Sequence, residues 1–259
     1  MKLIMIVLAA GQGTRLRPLT SDRPKCLVTL KEKTLLGWII EHANEVGIST
    51  ICVVGGYKAE MIQYKEVEKC HNDRYFETNM AYSLWCAREK MIGHDVIISY
   101  GDICYSTDIL ARLKQDNGEV SVAIDKGWLE YWKARFDNPL DDAESLKING
   151  QGHITEIGRE IRSISDVDGQ YLGLIKLSIS GVSLLLATIE MIKSDGIEVN
   201  GKGFEDMYMT DLLDYMIAQG VEINAVEINR NWVEIDDLRD RDLAERISVL
   251  EDGKIRFKE

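Results

Sequence analysis

The chain has 259 residues, of which 45% are hydrophobic and 29% are charged, as in an ordinary globular protein with one large or two small domains. Its net charge of −12 disfavours a nucleic-acid partner, because phosphate backbones select basic surfaces. No apolar run reaches the length of a membrane span. The five cysteines include no C-x-x-C pair, which predicts free thiols in a reducing, cytoplasmic compartment.

An apolar run, a glycine turn and a cluster of cations open the chain. Residues 3–8 are continuously apolar, which predicts a strand buried on both faces of a parallel sheet. In the turn that follows, Gly11 and Gly13 leave backbone N–H groups accessible to a ligand. The cations after the turn are Arg15, Arg17, Arg23 and Lys25. In an acidic protein, cations gathered in one place predict a polyphosphate ligand.

Other interpretations of this opening segment compete with a phosphate site. A secretory signal also begins with an apolar run, but a cationic segment follows here instead of a mature start. A dinucleotide-binding turn needs a third glycine where Leu16 stands and an acidic end to the second strand, where residues 55–56 are glycines. The G-x-x-x-x-G-K-[ST] phosphate loop is absent. A tight turn with solvated arginines and no ligand stays open.

The opening segment resembles the signature of the nucleotidyltransferases that make sugar nucleotides and related activated alcohols. The matching residues are Leu8-Ala9-Ala10-Gly11-Gln12-Gly13-Thr14-Arg15-Leu16, Pro18-Leu19-Thr20 and Arg23-Pro24-Lys25. The resemblance implies that the turn, residues 8–14, wraps a nucleoside triphosphate. It also implies that Arg15 meets the β- and γ-phosphates and that Lys25 reaches the α-phosphate, so these two are the candidate catalytic residues.

A strand–helix–strand unit of a parallel sheet is predicted next. Apolar residues at helical spacing over 35–46 end at Gly47, and a strand follows over 50–54. The second strand ends in another small-residue turn, in which the resemblance places Gly56 beside the base. The segment after it, Asn79-Met80-Ala81-Tyr82-Ser83-Leu84, opens a predicted helix to residue 90 and resembles cytidylyltransferases for small phosphorylated alcohols. Asn79 and Ser83 are therefore candidate base contacts, although Asn79 can equally cap the helix.

Two aspartates are candidate ligands of Mg²⁺. Asp102 follows a predicted buried strand over 96–100, where hard carboxylate oxygens suit the ion. Capping of the predicted helix 107–113 is its alternative role, which Thr107 or Asp108 would fill better. The later residues Trp232-x-Glu234-Ile235-Asp236 resemble the family motif whose aspartate joins the first one on the metal. That motif favours Asp236, and Asp237 is the alternative.

An acceptor site is expected after the strand predicted over 120–124. Trp128, Tyr131, Trp132 and Arg135 share one helical face, which is either core or the wall of an acceptor pocket. Aromatic rings would suit a quaternary ammonium, whereas Lys126 and Arg135 would suit a phosphate or carboxylate, and spacing does not decide between them. The order W-x-x-R-F-x-N-P-x-x-D-A-E over 132–144 resembles a cytidylyltransferase subgroup of surface-polysaccharide pathways, which includes an enzyme acting on glutamine phosphate.

The remaining elements complete the acceptor half. We predict a hairpin over 145–157 around Asn149-Gly150, a strand over 170–177 and a helix over 181–193. We also predict a helix to residue 218 capped by Thr210, a return to the sheet over 226–236 and a final helix over 238–247. The strand over 170–177 resembles the one that crosses the acceptor pocket in this superfamily. The candidate acceptor-binding residues are Lys126, Trp128, Trp132, Arg135, Glu156, Tyr171, Gly173 and Tyr208.

These observations predict one α/β domain over residues 1–259, with a nucleotide-binding half over 1–119 and an acceptor-binding half over 120–259. The expected fold is a Rossmann-like, mixed and mainly parallel sheet flanked by helices, of the nucleotide-diphospho-sugar transferase type. The expected activity is Mg²⁺-dependent transfer of CMP from CTP to a small phosphorylated or phosphonate acceptor. A sugar-1-phosphate enzyme using UTP or TTP and a non-catalytic nucleotide sensor are the alternatives. Neither a nucleic acid nor a membrane is an expected partner, and the chain is a monomer or a homodimer.

Overall fold

The computed structural model describes residues 2–258, so the two ends of the predicted domain, Met1 and Glu259, lie outside the described residues. The strands are β1 (Leu3–Ala9), β2 (Thr29–Leu30), β3 (Lys33–Thr34), β4 (Ile51–Gly55), β5 (Val67–His71), β6 (Asp95–Tyr100), β7 (Ile103–Tyr105), β8 (Val120–Asp125), β9 (Leu146–Ile148), β10 (Ile154–Ile157), β11 (Gln170–Leu177), β12 (Ile223–Ile228), β13 (Trp232–Glu234), β14 (Ser248–Glu251) and β15 (Lys254–Phe257). The α-helices are α1 (Leu35–Glu45), α2 (Met80–Cys86), α3 (Arg88–Met91), α4 (Thr107–Gln115), α5 (Trp128–Arg135), α6 (Ile179–Asp195), α7 (Met209–Ala218) and α8 (Leu238–Ile247).

The central sheet of the described chain has seven strands in the order β12-β8-β11-β6-β1-β4-β5. The pairs β6·β1, β1·β4, β4·β5 and β8·β12 are parallel, whereas β11 runs antiparallel to both of its neighbours. Side chains of β1 alternate between two apolar clusters, with Met5 and Val7 in one and Ile4, Ile6 and Leu8 in the other. Helices cover both clusters, so the predicted mixed, mainly parallel Rossmann-like sheet is confirmed.

Most predicted elements are confirmed, but the helix expected over 79–90 is two helices. Ala87 lies between α2 and α3 with φ −98° and ψ 2°, and its N–H donates to the carbonyl of Leu84 at 2.9 Å. This tighter bond ends α2 and turns the chain before α3 begins. The predicted hairpin is confirmed as β9 and β10, and Asn149 Oδ1 accepts from the N–H groups of Gln151 at 2.9 Å and His153 at 3.0 Å in its turn.

Four further details differ from expectation. Thr210 lies inside α7, and Asp211 supplies the cap instead, because its Oδ2 accepts from the N–H of Tyr208 at 2.9 Å. The segment β13 does not rejoin the central sheet but pairs with β7 in a separate two-stranded ribbon. The edge strand β5 and the final hairpin β14–β15 were not predicted. The residues of β5 are mostly exposed and polar, and each hairpin strand is only four residues long, so the alternation of exposed and buried residues in β15 is a short signal.

Two further findings concern the cysteines and helices. All five cysteines are free thiols, as expected. Among residues 2–258, none of the helices combines the length and the apolar character that crossing a bilayer requires. The division of the domain at residue 119 stays a prediction, since one sheet carries strands from both halves.

Candidate active site

A first cavity opens at the carboxyl ends of β1 and β6, the edge at which open parallel sheets bind ligands. Its walls are Leu8, Ala9, Ala10, Gly11, Lys25, Cys26, Tyr75, Thr78, Asn79, Met80, Ser83, Tyr100, Gly101 and Asp102. Most of the residues predicted to bind a nucleotide therefore lie together. Those that the structure places outside the cavity wall are Gln12, Gly13, Thr14 and Gly56.

Two of these glycines shape the first cavity through packing. Gly13 has φ +62°, and a Cβ there would lie 3.0 Å from the Cβ of Lys25. The missing side chain therefore lets the lysine pass directly against the turn. A Cβ on Gly56 would lie 2.5 Å from the Cβ of Tyr75 and 2.8 Å from the carbonyl oxygen of Ala10, so glycine allows Tyr75 to close the wall.

Asn79 caps α2 and also lies at the first cavity, while its contact with a base stays a prediction. Its Oδ1 accepts from the N–H of Met80 at 2.9 Å at the start of α2, so the predicted cap is confirmed. The side chain also lies in the wall of the first cavity, together with Ser83. Fully buried Asn72 fixes that wall, because its Nδ2 donates to Ser83 Oγ and Thr78 Oγ1, both at 3.0 Å.

The β7–β13 ribbon brings the two predicted metal-binding aspartates together. Asp102 precedes β7 and Asp236 follows β13, and antiparallel pairing places these ends side by side. The N–H of Ile235 donates to the carbonyl of Asp102 at 3.1 Å. Asp102 does not cap α4, because that helix begins after Ser106. Asp237, the alternative to Asp236, instead caps α8 by accepting from the N–H of Asp240 at 2.9 Å.

Lys25 lies between these two aspartates. Its Nζ donates to Asp102 Oδ2 at 2.7 Å and to Asp236 Oδ1, and the three side chains are only 14–17% exposed. Burial alone would lower the pKa of Lys25, but the two carboxylates overcome it and hold the pKa above its ordinary value. Burial likewise opposes ionisation of Asp236, yet Lys25, Arg15 and Arg135 keep its pKa below the ordinary value. The more exposed Arg15 contributes with Nη2 at 3.4 Å from Asp236 Oδ2.

Arg135 forms a second, fully enclosed cation site behind Asp236. Its guanidinium is 0% exposed and donates to both carboxylate oxygens of Asp240 at 2.9 Å and to Glu234 Oε2 at 2.7 Å. Asp236 Oδ2 lies 3.6 Å from Arg135 Nη2. Burial and the charge of Asp236 raise the pKa of Glu234 to about 8. With its donors held by carboxylates, Arg135 is not presented to an acceptor as the sequence analysis expected.

A second cavity adjoins the first, and Met80 and Tyr100 form the wall that the two share. Its complete lining is Met80, Tyr100, Trp132, Asp142, Glu144, Gln170, Tyr171, Leu172, Gly173, Tyr208, Thr210, Glu234 and Asp236. Gly173 has φ +83°, and a Cβ there would lie 2.5 Å from the Tyr100 ring, so glycine lets β11 press against this shared wall. Of the predicted acceptor-binding residues, the cavity collects Trp132, Tyr171, Gly173 and Tyr208.

The other predicted acceptor-binding residues lie away from the second cavity. Lys126 Nζ lies 3.6 Å from Glu227 Oε1 at the sheet edge, because β8 pairs with β12 there. Trp128 is 3% exposed and packs its ring against Trp132, and Glu156 pairs with Arg159 at 3.3 Å on the β9–β10 hairpin. Arg135 is enclosed as described above.

Sequence reasoning missed the carboxylates that line the second cavity. Asp142 and Glu144 are exposed to it, although both belong to the D-A-E end of the segment over 132–144. Glu234, inside the late motif, was also not chosen. The order of residues in both motifs was a usable signal, whereas periodicity could not tell which side chains face a cavity.

The aspartate pair fits a divalent cation that takes its remaining ligands from substrate. Asp102 Oδ1 is buried and has no hydrogen-bond partner, while the other oxygen and Asp236 converge on one ammonium group. Proteins hold Mg²⁺ through one or two carboxylates plus phosphates and water. Among residues 2–258 there is no group of three or more His, Cys, Asp or Glu placed to hold a metal by itself.

Comparison with known proteins identifies the family of the chain. Residues 5–151 match the family described as the MobA-like NTP transferase domain. The chain is 40% identical over 245 residues to CTP:phosphoglutamine cytidylyltransferase of Campylobacter jejuni, covering 91% of this chain and 96% of the relative. It is 43% identical over 96 residues to choline-phosphate cytidylyltransferase of Streptococcus pneumoniae, covering 36% of this chain and 42% of that relative. The solved CTP:phosphocholine cytidylyltransferase from Streptococcus pneumoniae has the same fold, with a TM-score of 0.73, 23% identity and coverage of 95% and 99%.

The fold, the glycine turn with its lysine and the relatives together define an enzyme of the nucleotidyltransferase class. The chain belongs to the family of MobA-like NTP transferase domains. The resemblance that the opening segment predicted is therefore confirmed, including its likeness to cytidylyltransferases for small molecules.

Proposed function

We propose that the chain is a Mg²⁺-dependent cytidylyltransferase that transfers CMP from CTP to a small phosphorylated or phosphonate acceptor. The observation that carries this proposal is the position of Lys25, which joins Asp102 and Asp236 where the two cavities meet. A nucleotide in the first cavity and an acceptor in the second would bring their reacting phosphates to this lysine. The curated relatives named above support CTP as the nucleotide.

The chemistry needs no covalent enzyme intermediate. An oxygen of the acceptor phosphate attacks the α-phosphorus of CTP, the bond to the β-phosphate oxygen breaks, and pyrophosphate leaves. An ionised phosphate is already a nucleophile, so positioning and charge neutralisation supply the catalysis. Lys25 neutralises charge at the α-phosphate, and the exposed Arg15 reaches the outer phosphates. Mg²⁺ held by Asp102 and Asp236 would supply further neutralisation of the triphosphate.

The acceptors that we propose are of the glutamine phosphate, phosphocholine or aminoalkylphosphonate type. Two of these are the substrates for which the relatives are named, phosphoglutamine and choline phosphate. The second cavity has space and polar groups for such a molecule beside Asp236. Because CTP and free thiols belong to the cytoplasm, we place the reaction there.

A screen of nucleotides and acceptors tests the proposal. Each of CTP, UTP, TTP and ATP is combined with phosphocholine, 2-aminoethylphosphonate, glutamine phosphate and glucose 1-phosphate, and pyrophosphate release is measured with Mg²⁺ or with EDTA. We expect release with CTP and at least one of the first three acceptors, and none with EDTA. Release only with UTP or TTP and the sugar phosphate contradicts the proposal, and release with no pair indicates a non-catalytic nucleotide-binding protein.

A further inference from the structure

The second cavity is lined by carboxylates and has no lysine or arginine in its wall. Glu234 forms an ion pair with Arg135, and Asp236 forms one with Lys25, as described above. Asp142 and Glu144 have no ion-pair partner among residues 2–258, and their side chains are open to the cavity. Two unpaired carboxylates therefore remain on the acceptor side of the site.

A cation bound beside these two carboxylates would stabilise their ionised forms. Partial burial raises the pKa of Asp142 and of Glu144, although the charge of Arg135 opposes the rise at Asp142 and a hydrogen bond from Thr210 opposes it at Glu144. Lys202 also acts on Glu144, but it is held by Asp211, with Nζ 2.8 Å from Oδ2. A positive group on a ligand would thus meet two carboxylates that form no ion pair within residues 2–258.

A second feature of the same cavity also indicates a ligand. Trp132 lines the cavity and is only 3% exposed, yet its indole Nε1 has no hydrogen-bond partner in the described chain. Tyr171 on β11 lines the cavity too, and its buried hydroxyl lies beside Tyr100. Buried donors are normally satisfied, so the cavity offers a donor for an oxygen atom as well as carboxylates for a cation.

Two of the aromatic rings in the cavity wall, those of Trp132 and Tyr208, are partly covered by other side chains, which makes them poorer walls for a quaternary-ammonium cage. Such a cage needs several ring faces open to the ligand. The ring of Trp132 packs against Trp128, Tyr131 and Trp232. One face of the Tyr208 ring is covered by Lys202, whose Nζ lies 4.6 Å from the ring centre. Carboxylate oxygens are therefore the groups available to the positive end of a ligand.

We propose that the acceptor carries a protonated primary amine at the end remote from its phosphate, bound by hydrogen bonds to Asp142 and Glu144. This inference rests on the proposed function and deepens it by naming the substrate class. A trimethylammonium group has no N–H to donate, so the site favours the primary amine. Hydrogen bonds to charged groups are worth about 1.5–3 kcal/mol, which corresponds to a preference of roughly 10- to 100-fold.

The test uses matched acceptors of increasing length. Aminoethyl, aminopropyl and aminobutyl phosphates are compared with alkyl phosphates of equal length and with the trimethylammonium form of each amine, at saturating CTP. We expect the best amine to exceed both counterparts in kcat/KM by about 10-fold or more. Equal or better use of the alkyl or trimethylammonium compounds overturns the inference.

Two variants test whether Asp142 and Glu144 cause the preference for the amine. Asp142→Asn and Glu144→Gln should each raise KM for the best amine about 10-fold, with little change in kcat or in KM for CTP. Asp141→Asn is the matched control, because that side chain bonds Asn138 at 2.7 Å outside the cavity and should leave KM unchanged. Equal KM values for all three variants and the parent protein overturn the inference.

Binding measurements separate this inference from the proposed function. Calorimetry of the same phosphates, with a non-hydrolysable CTP analogue present, reports amine selectivity without turnover. Amine-selective binding with no pyrophosphate release for any nucleotide would contradict the function and leave the amine site intact. Pyrophosphate release without amine selectivity would support the function and overturn the amine site.

Discussion

Two cations lie on opposite sides of Asp236, and they differ in exposure and in partners. Lys25 is 14% exposed and joins two aspartates at the meeting point of the cavities. Arg135 is 0% exposed, and its planar fork is held by Asp240 and Glu234. The same type of ion pair is therefore open to a ligand in one place and closed off in the other. Solvent access, and not the presence of a cation, distinguishes the group that we propose to be catalytic from the enclosed one.

The largest expected effect is at Lys25, the cation that is open to a ligand. Lys25→Ala should lower kcat for pyrophosphate release by about 10³-fold, because it removes a group that neutralises charge in the transition state. The fold should persist, with the unfolding midpoint followed by circular dichroism. Lys126→Ala is the matched control, since that exposed lysine pairs only with Glu227. Near-parental turnover of the Lys25 variant would remove it from the catalytic centre.

At Arg135, the enclosed cation, we expect the main effect of substitution to be on the free energy of unfolding. Arg135→Met leaves buried Glu234 and Asp240 without their cation, which costs about 3–5 kcal/mol of the free energy of unfolding. At roughly 2–4 °C per kcal/mol, the thermal midpoint should fall by about 10 °C. The control Lys133→Met lies on the same helix with an exposed ion pair to Glu130, and should change stability by less than about 1 kcal/mol. If both variants melt together with the parent protein, the enclosed cluster does not stabilise the fold.

Asp240 contacts both Arg135 and Asp236. Its substitution should therefore lower both the stability of the fold and the activity, each to a moderate extent. It accepts two hydrogen bonds from Arg135, and its Oδ2 also accepts from the N–H of Asp236 at 3.0 Å. Asp240→Asn should cost about 1–3 kcal/mol in stability, measured by urea unfolding. We also expect a fall in kcat/KM, because the backbone of Asp236 loses part of its anchor. Unchanged kcat/KM with lowered stability would show that the two sides are independent.

The smallest expected effect is that of Asp237, and comparing it with Asp236 separates the roles of the two adjacent aspartates. Asp237→Ala removes the cap of α8 and should cost about 1 kcal/mol in stability, with turnover little changed. Asp236→Ala should instead lower turnover by about 10²-fold or more, as expected for a charged group at the centre. Steady-state kinetics of both proteins make the comparison. The reverse order of activities would assign the centre to Asp237.

Residues near one another in sequence were the easier ones to predict. The apolar run of β1, the turn at Gly13 and the capping role of Asn79 follow from local pattern. Motif order singled out Lys25 and Asp236, and its place after a predicted strand singled out Asp102. Arg135 was placed on the correct helical face but in the wrong environment. Its partner Asp240 is 105 residues away on α8, and no local pattern reports that packing.

The second cavity was harder to predict for a related reason. Asp142 and Glu144 follow α5 in an irregular segment, where no period of 2 or 3.6 assigns a side to each residue. Lys126 stands at a strand end, as expected, but the pairing of β8 with β12 sets it beside Glu227. Which residues line a cavity depends on which strands are neighbours in the sheet. Here the antiparallel strand β11 lies between β6 and β8.

The β7–β13 ribbon also determines when the chain can first act. Lys25 meets Asp102 across 77 residues of sequence and Asp236 across 211. During synthesis, the lysine and its first aspartate leave the ribosome long before the second aspartate exists. A nascent chain can therefore fold the strands around the first cavity while its catalytic centre still lacks one carboxylate. If the centre acts as we propose, nucleotidyl transfer has to wait for translation of Asp236, which follows β13, and we expect shorter chains to be inactive.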